Sequence, residues 1–209
     1  MLNIAVFVSG KGSNFRAIQK AILNGFIRNA KIVLVISNNS DAGALDIACE
    51  HGIPAVHLSR KQYTTDNEFN NSVLQTLRQH GANFIVLAGY MKKIDSSIIR
   101  HYRNRILNIH PALLPAFGGS GMYGMHVHEA VITQKASVSG ATVHLVDEEY
   151  DRGAIVLQRQ IPVAPDDTPE SLAANVLQIE HELYPEAIRL FAEGQVKIDG
   201  QHVTVLNTP

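Results

Sequence analysis

Five short apolar runs constrain this chain more than any other feature. They are NIAVFV (3–8), KIVLVIS (31–37), IPAVH (53–57), FIVLAG (84–89) and RILNIH (105–110). Most of their positions are apolar without alternation. A strand of that kind must be covered on both faces, which is the condition of a parallel sheet flanked by helices. The intervening segments supply those helices. Residues 14–24 carry Phe15, Ile18 and Ile22 at helical spacing, and residues 42–51 end at Gly52. Residues 66–80 carry Phe69, Val73 and Leu77 and end at Gly81, and 95–102 form a short fourth helix. The expected class is α/β: an open, mostly parallel, Rossmann-like sheet with helices on both faces.

After residue 110 the pattern changes. SGATVHLV (139–146) and AIVLQRQIPV (154–163) flank the acidic turn DEEYDRG, which reads as an antiparallel hairpin. Thr168-Pro169-Glu170 reads as an N-cap followed by proline at the first helical position. Leu172, Val176, Ile179, Leu183, Ala187 and Leu190 recur at three- and four-residue steps, so 169–193 is a long amphipathic helix closed by Gly194. The tail KIDGQHVTVL contains Asp199-Gly200, a second hairpin signal. A chain of 209 residues, 45% hydrophobic, fits one domain, 1–209, with halves 1–110 and 111–209.

Charge narrows the partners. Lys and Arg number 18 against 19 Asp and Glu, and no basic stripe marks a nucleic-acid groove. An anionic ligand must therefore be met by a local site. No apolar run reaches the roughly 18 residues of a membrane helix. MLNIAVFVSGKGSN lacks the basic start and small-residue cleavage site of a signal peptide and reads as a first strand. Cys49 is the single cysteine, so no internal disulfide forms, and a reducing cytoplasm is the expected compartment. Its place within the second helix makes it core filler.

Three stretches carry chemistry. SGKGSN (9–14) follows the first strand and opens the first helix. Backbone N–H groups at such a turn face a positive helix end, which suits phosphate, with Ser13 and Asn14 adding side-chain hydrogen bonds. It is neither a dinucleotide fingerprint, since Phe15 stands where the third glycine would be, nor a Walker loop. The bland reading is an ordinary tight turn. LNIHP (107–111) places Asn108 and His110 two residues apart at the end of the fifth strand, hence on one face. An amide donor and an imidazole can polarise a carbonyl and stabilise an oxyanion, or can simply satisfy loop backbone. DEEYDRG supplies Asp151, able to pair with His110 and raise its pKa, but also Asp147, Glu148 and Glu149, and local pattern does not choose among them. No G-x-S-x-G elbow is present, so no covalent nucleophile is indicated.

In that order, SGKGSN, LNIHPALLP and DEEYDRG followed by AIVLQ resemble the glycinamide ribonucleotide transformylases, folate-dependent formyltransferases of purine synthesis. The resemblance runs from Ile4 to about residue 193. It implies that Gly12, Ser13 and Asn14 hold the ribonucleotide phosphate, and that Glu180, within Gln178-x-Glu180-His181, contacts the ribonucleotide. Asn108, His110 and Asp151 become the catalytic set, Asp151 being chosen by its place two residues before the turn's glycine. Met91, Lys92, Lys93 and Ile94, with Asn108 and the backbone of the 146–151 turn, become the folate side. The half 1–110 is then phosphate-binding and 111–209 folate-side. The co-substrate is 10-formyltetrahydrofolate, attacked directly by the ribonucleotide's amine, with no metal. Partners are small molecules only, and the state is monomer or homodimer.

Two departures stand out. Many members carry an arginine near residues 64–65 that contacts folate; this chain has Thr64 and Thr65, with Arg60 and Lys61 as neighbouring cations. The loop AFGGSGMYGMHVH (116–128) is longer than the family's by several residues, and is expected to act as a glycine-hinged lid. Four other readings compete. A formyltetrahydrofolate hydrolase shares the catalytic set but usually carries an extra preceding domain, and a tRNA formyltransferase a further C-terminal one. A non-catalytic nucleotide sensor needs neither Asn108 nor His110. A zinc enzyme would use His110 with His126 and His128 as an H-x-H pair on one strand face.

Overall fold

The structure, a computed structural model, describes residues 1–206. It divides into two compact units, Met1–Leu107 and the chain from Asn108 onward. The division falls just before the expected boundary at 110, so Asn108 and His110 belong to the second unit.

The first unit alternates strand and helix: β1 (Leu2–Val8), α1 (Ser13–Leu23), β2 (Ala30–Ser37), α2 (Gly43–Glu50), β3 (Ala55–His57), α3 (Asp66–Gln79), β4 (Phe84–Leu87) and α4 (Ser96–His101). β1 pairs in parallel with β2 on one side and β4 on the other, and β2 pairs in parallel with β3. The continuous apolar runs are explained by burial: Ile4 to Val8 and all of β4 are buried. On α1, Phe15 and Ile18 are fully buried and Ala21 nearly so, one inward stripe at three-residue steps. α3 starts at a capping box in which the Thr65 hydroxyl accepts from Glu68 N–H and the Glu68 carboxylate accepts from Thr65 N–H.

Cys49 is exposed, which corrects its expected role as core filler. The inward stripe of α2 is Ala44, Ile47 and Ala48, and Cys49 lies past its edge.

The second unit holds β5 (Ile106–His110, begun in the first unit), α5 (Met125–Thr133), β6 (Val138–Leu145), β7 (Ile155–Pro162) and α6 (Pro169–Ala192). β8 (Val196–Asp199) and β9 (His202–Val205) form a separate antiparallel hairpin. β6 and β7 are antiparallel, with a register irregularity between Val143 and His144. The strand order of the seven-stranded sheet is β3-β2-β1-β4-β5-β6-β7. α6 starts as expected, Thr168 capping Ser171 N–H and Pro169 following.

Two sequence expectations change here. α5 was not foreseen; it absorbs the end of the long loop and places His126 and His128 on a helix. Two residues apart on a helix do not share a face, and His126 is exposed while His128 is buried. The H-x-H pair on a strand is thereby overturned. On α6, the inward positions are Leu172, Val176, Glu180, Leu183 and Ala187, with Glu180 buried and Ile179 only half-buried. A carboxylate occupies a core-stripe position that the apolar pattern had given to Ile179.

Candidate active site

The loop after β1 is shaped by a close approach. Gly12, the N-cap of α1, has φ of 76° and offers no side-chain cap. The first turn of α1 closes with Arg16 N–H donating to the Gly12 carbonyl, and the N–H groups before it have no intrahelical acceptor. At the start of α2, Ala44 N–H donates to the Gly10 carbonyl at 3.2 Å, drawing the loop against that helix. A Cβ on Gly12 would lie 2.7 Å from Ala44 Cβ. Glycine is required there both by its φ and by that contact. Gly12→Ala is expected to displace the loop and raise the Michaelis constant for a phosphorylated substrate by at least about tenfold. Titration with inorganic phosphate would report the same loss.

The 91–94 segment follows β4. Met91, Lys92 and Lys93 are exposed, while Ile94 is buried and anchors the segment. Arg60, a cation neighbouring Thr64 and Thr65, is engaged within its own loop. Its guanidinium pairs with Asp66 and donates to the Tyr63 and Thr64 carbonyls, stapling its own loop.

In the second unit the structure brings together Asn108, His110 and Asp151, and adds His144. Asn108 Nδ2 lies 3.1 Å from His144 Nε2. His144 Nδ1 lies 2.8 Å from the Leu145 carbonyl, which can only accept, so Nδ1 carries the proton and Nε2 accepts from Asn108. That bond orients the amide and leaves its second N–H for a ligand oxygen. His110 Nε2 donates to the Phe117 carbonyl at 2.8 Å. Asp151 lies 3.7 Å from His110 Nδ1 and 3.6 Å from His144 Nε2, and accepts from Gly119 N–H at 2.8 Å. The first two distances are too long for hydrogen bonds, and each becomes an ion pair only when its histidine carries a second proton.

The chain around these groups is held from two sides. Thr142 donates to the Ala112 carbonyl and accepts from Leu114 N–H, and Gln158 donates to both Leu114 O and Thr142 Oγ1. Gly153 lets the acidic turn fold back, since a Cβ there would fall 1.8 Å from the Leu145 carbonyl oxygen. Asp151 has φ of 55° and Phe117 of 54°, conformations that a bulky side chain such as phenylalanine rarely adopts.

Burial pushes the His110 pKa below the ordinary histidine value. Asp151 and the Phe117 carbonyl pull it upward, and His144 adds to the lowering. The expectation that Asp151 holds His110 charged therefore has the right sign for Asp151 but the wrong net result, because desolvation outweighs the carboxylate. Burial pushes Asp151 up, but His144, the Gly119 N–H and His110 together hold it below the usual carboxylate range. His128 is lowered by burial and by His110, and its Nδ1 has no hydrogen-bond partner among the described residues.

His144 was missed in the sequence. A signal existed: Thr142 and His144 repeat, in β6, the two-residue spacing of Asn108 and His110, inside an otherwise apolar run. Glu180 is buried on α6, and next to it the pKa of His181 is lowered by burial. Among the described residues no group of three or more His, Cys, Asp or Glu is arranged to hold a metal ion. No helix among them is long and apolar enough to cross a membrane.

An open α/β sheet with a glycine turn opening its first helix, and, in the second unit, an amide and imidazole at the end of β5 beside a carboxylate from the β6–β7 turn, make an arrangement able to polarise a carbonyl. The chain belongs to the formyl transferase family, whose model matches residues 2–188. It is 44% identical over 195 residues to the chloroplastic phosphoribosylglycinamide formyltransferase of Arabidopsis thaliana, covering 93% of this chain and 66% of that one. It is 37% identical over 198 residues to the phosphoribosylglycinamide formyltransferase of Haemophilus influenzae, covering 95% and 91%. The chain thus spans just under two thirds of the Arabidopsis relative's length. The crystal structure of glycinamide ribonucleotide transformylase 1 from Symbiobacterium toebii superposes with a TM-score of 0.93 at 38% identity, covering 99% of this chain and 95% of that one.

Proposed function

We propose that this chain transfers the formyl group of 10-formyltetrahydrofolate to the amine of N1-(5-phosphoribosyl)glycinamide, a step of purine synthesis. The observation that carries the reading is the convergence of Asn108, His110, His144 and Asp151 within one unit of a formyl transferase family member. The names borne by the relatives at 37–44% identity supply the acceptor.

In this reading Gly12, Ser13 and Asn14 anchor the ribonucleotide phosphate through backbone N–H groups. Glu180, a buried carboxylate, takes its sugar hydroxyls. Met91 to Ile94 receive the folate. The amine nitrogen bonds to the formyl carbon, and the carbonyl oxygen gains the charge. Asn108 offers its free N–H to that oxygen, and His110 turns a ring N–H toward it. Preorganised donors of this kind are each worth roughly 100- to 1,000-fold in rate. His110 becomes more basic as the oxyanion forms, with Asp151 favouring its protonated state. The intermediate collapses as the bond from carbon to folate nitrogen breaks, and a proton from the amine ends on that nitrogen.

His110 Nε2 is engaged by Phe117 and Asp151 by Gly119, so the loop must release both for the reaction to proceed. Residues 116–124 therefore act as a glycine-hinged lid, with positive φ at Gly119, Gly121 and Gly124. The enzyme works in the cytoplasm as a monomer or homodimer.

Purified protein is expected to release tetrahydrofolate from 10-formyltetrahydrofolate only when the ribonucleotide is added. Equal release without it would make the chain a hydrolase, and no release in either case a ligand sensor.

A further inference from the structure

We infer that Ser9 is a positioning residue that, with Asn38, sets the 91–94 segment against the phosphate loop. The inference rests on the two-substrate reaction proposed above. All the groups lie in the first unit. Ser9 N–H donates to the Gly89 carbonyl at 3.1 Å, and Met91 N–H donates to Ser9 Oγ at 2.8 Å. The Ser9 hydroxyl in turn donates to Asn38 Oδ1. One oxygen thus joins the carboxyl ends of β1, β2 and β4.

The chemistry of the joint is selective. A hydroxyl has one proton to give and lone pairs to accept with, and here the proton goes to Asn38 while a lone pair takes Met91 N–H. Alanine does neither. Asn38 is held in place by the winding just beyond β2, where Ser37 Oγ donates to the Asn39 carbonyl at 2.8 Å and accepts Asn39 N–H at 3.0 Å. On the other side of Ser9 the chain enters Gly10, whose carbonyl is fixed by Ala44 N–H.

The need for such a joint follows from exposure. Met91, Lys92 and Lys93 are all exposed, and the segment has no buried side chain before Ile94. Its leading end is located by Tyr90, half-buried with its ring edge-on to Phe7, and by the backbone bonds of Gly89 and Met91, both of which run to Ser9. Without the Ser9 hydroxyl Met91 N–H loses its acceptor, and the chain from Met91 onward can shift while Gly89 stays bonded to Ser9 N–H and the phosphate loop stays braced by Ala44. Ser9 acts through backbone, its hydroxyl donating to Asn38 and accepting from Met91 N–H. A misplacement of about 1 Å between reacting partners costs on the order of 100-fold in rate.

Steady-state kinetics with both substrates on Ser9→Ala, Ser9→Thr and Asn38→Ala tests this. Ser9→Ala is expected to lose about 10- to 100-fold in kcat, with both Michaelis constants within about threefold of the parent. Ser9→Thr, which keeps the hydroxyl, is expected to recover most of the loss, and Asn38→Ala to fall between. A residue that only supports the fold would lower the yield of folded protein without splitting kcat from KM, and the threonine would not rescue it. Wild-type kcat in Ser9→Ala, or a loss that threonine does not repair, overturns the proposal. Amide hydrogen exchange decides it independently of turnover. Exchange in Ser9→Ala should quicken at 91–93 and stay unchanged at 12–14, and equal protection in both proteins overturns the joint. If the parent protein itself shows no ribonucleotide-dependent turnover, the reaction reading fails while the exchange result still judges Ser9.

Discussion

Asp151→Asn is expected to lower turnover on the order of 100-fold or more with the fold intact. The asparagine is isosteric and still accepts from Gly119 N–H, so the turn keeps its shape. What is lost is the charge 3.7 Å from His110. Burial already lowers the His110 pKa, and Asp151 is the largest influence that raises it. Removing that influence lets the pKa fall further, so less of the imidazole is protonated at neutral pH. Where the protonated ring is needed, the alkaline limb of the pH–rate profile moves to lower pH, and the residual activity is greatest in more acidic buffer. The control is Asp147→Asn. Asp147 accepts from Glu149 N–H within its own turn, and its replacement is expected to leave turnover within about twofold. Near-normal activity in Asp151→Asn, or equal loss in both variants, would move the catalytic acid elsewhere in DEEYDRG.

That turn illustrates what the sequence could and could not decide. Its hairpin was legible, because strand pairs around a short glycine-containing turn depend on local chemistry. Asp151 was separable from Asp147 only by resemblance. What distinguishes it physically is tertiary: its side chain is 12% exposed and lies between two histidines from other strands. The parallel half was read from its continuous apolar runs, since burial on both faces leaves a one-dimensional trace. His144 left a fainter one. It is aimed by an irregular register at Val143/His144, and bulges of this kind re-aim side chains without a fixed sequence code. α5 was invisible for a related reason. It starts after Gly124 with no side-chain cap, so the usual polar start signal is missing. Glu180 broke the apolar pattern of α6 at a buried, inward position, where a carboxylate is tolerated only when paired or hydrogen-bonded, and that pairing is tertiary and leaves no local signal.

His110→Ala carries the other large effect, and it has two measurable signs. Turnover is expected to drop on the order of 1,000-fold, because an oxyanion donor and the group that answers Asp151 disappear together. Stability should respond in the opposite sense to acid. The folded pKa of His110 lies below its ordinary value of 6.5. The unfolded chain therefore binds its proton first as pH falls, and folding stability is lost from about pH 6.5 downward toward the folded pKa. His128 and His181, also lowered by burial, act in the same direction, as does Asp151 at lower pH. Alanine removes one of these penalties. The variant should unfold at a lower temperature than the parent at pH 8, since a buried ring is replaced by a cavity. Between pH 8 and pH 5.5 its midpoint should fall less than the parent's. A midpoint that falls as steeply as the parent's would mean that His110 binds its proton as readily in the folded chain as in the unfolded one. Burial would then not control its charge, and the basicity needed at the oxyanion would have to be supplied before substrate arrives.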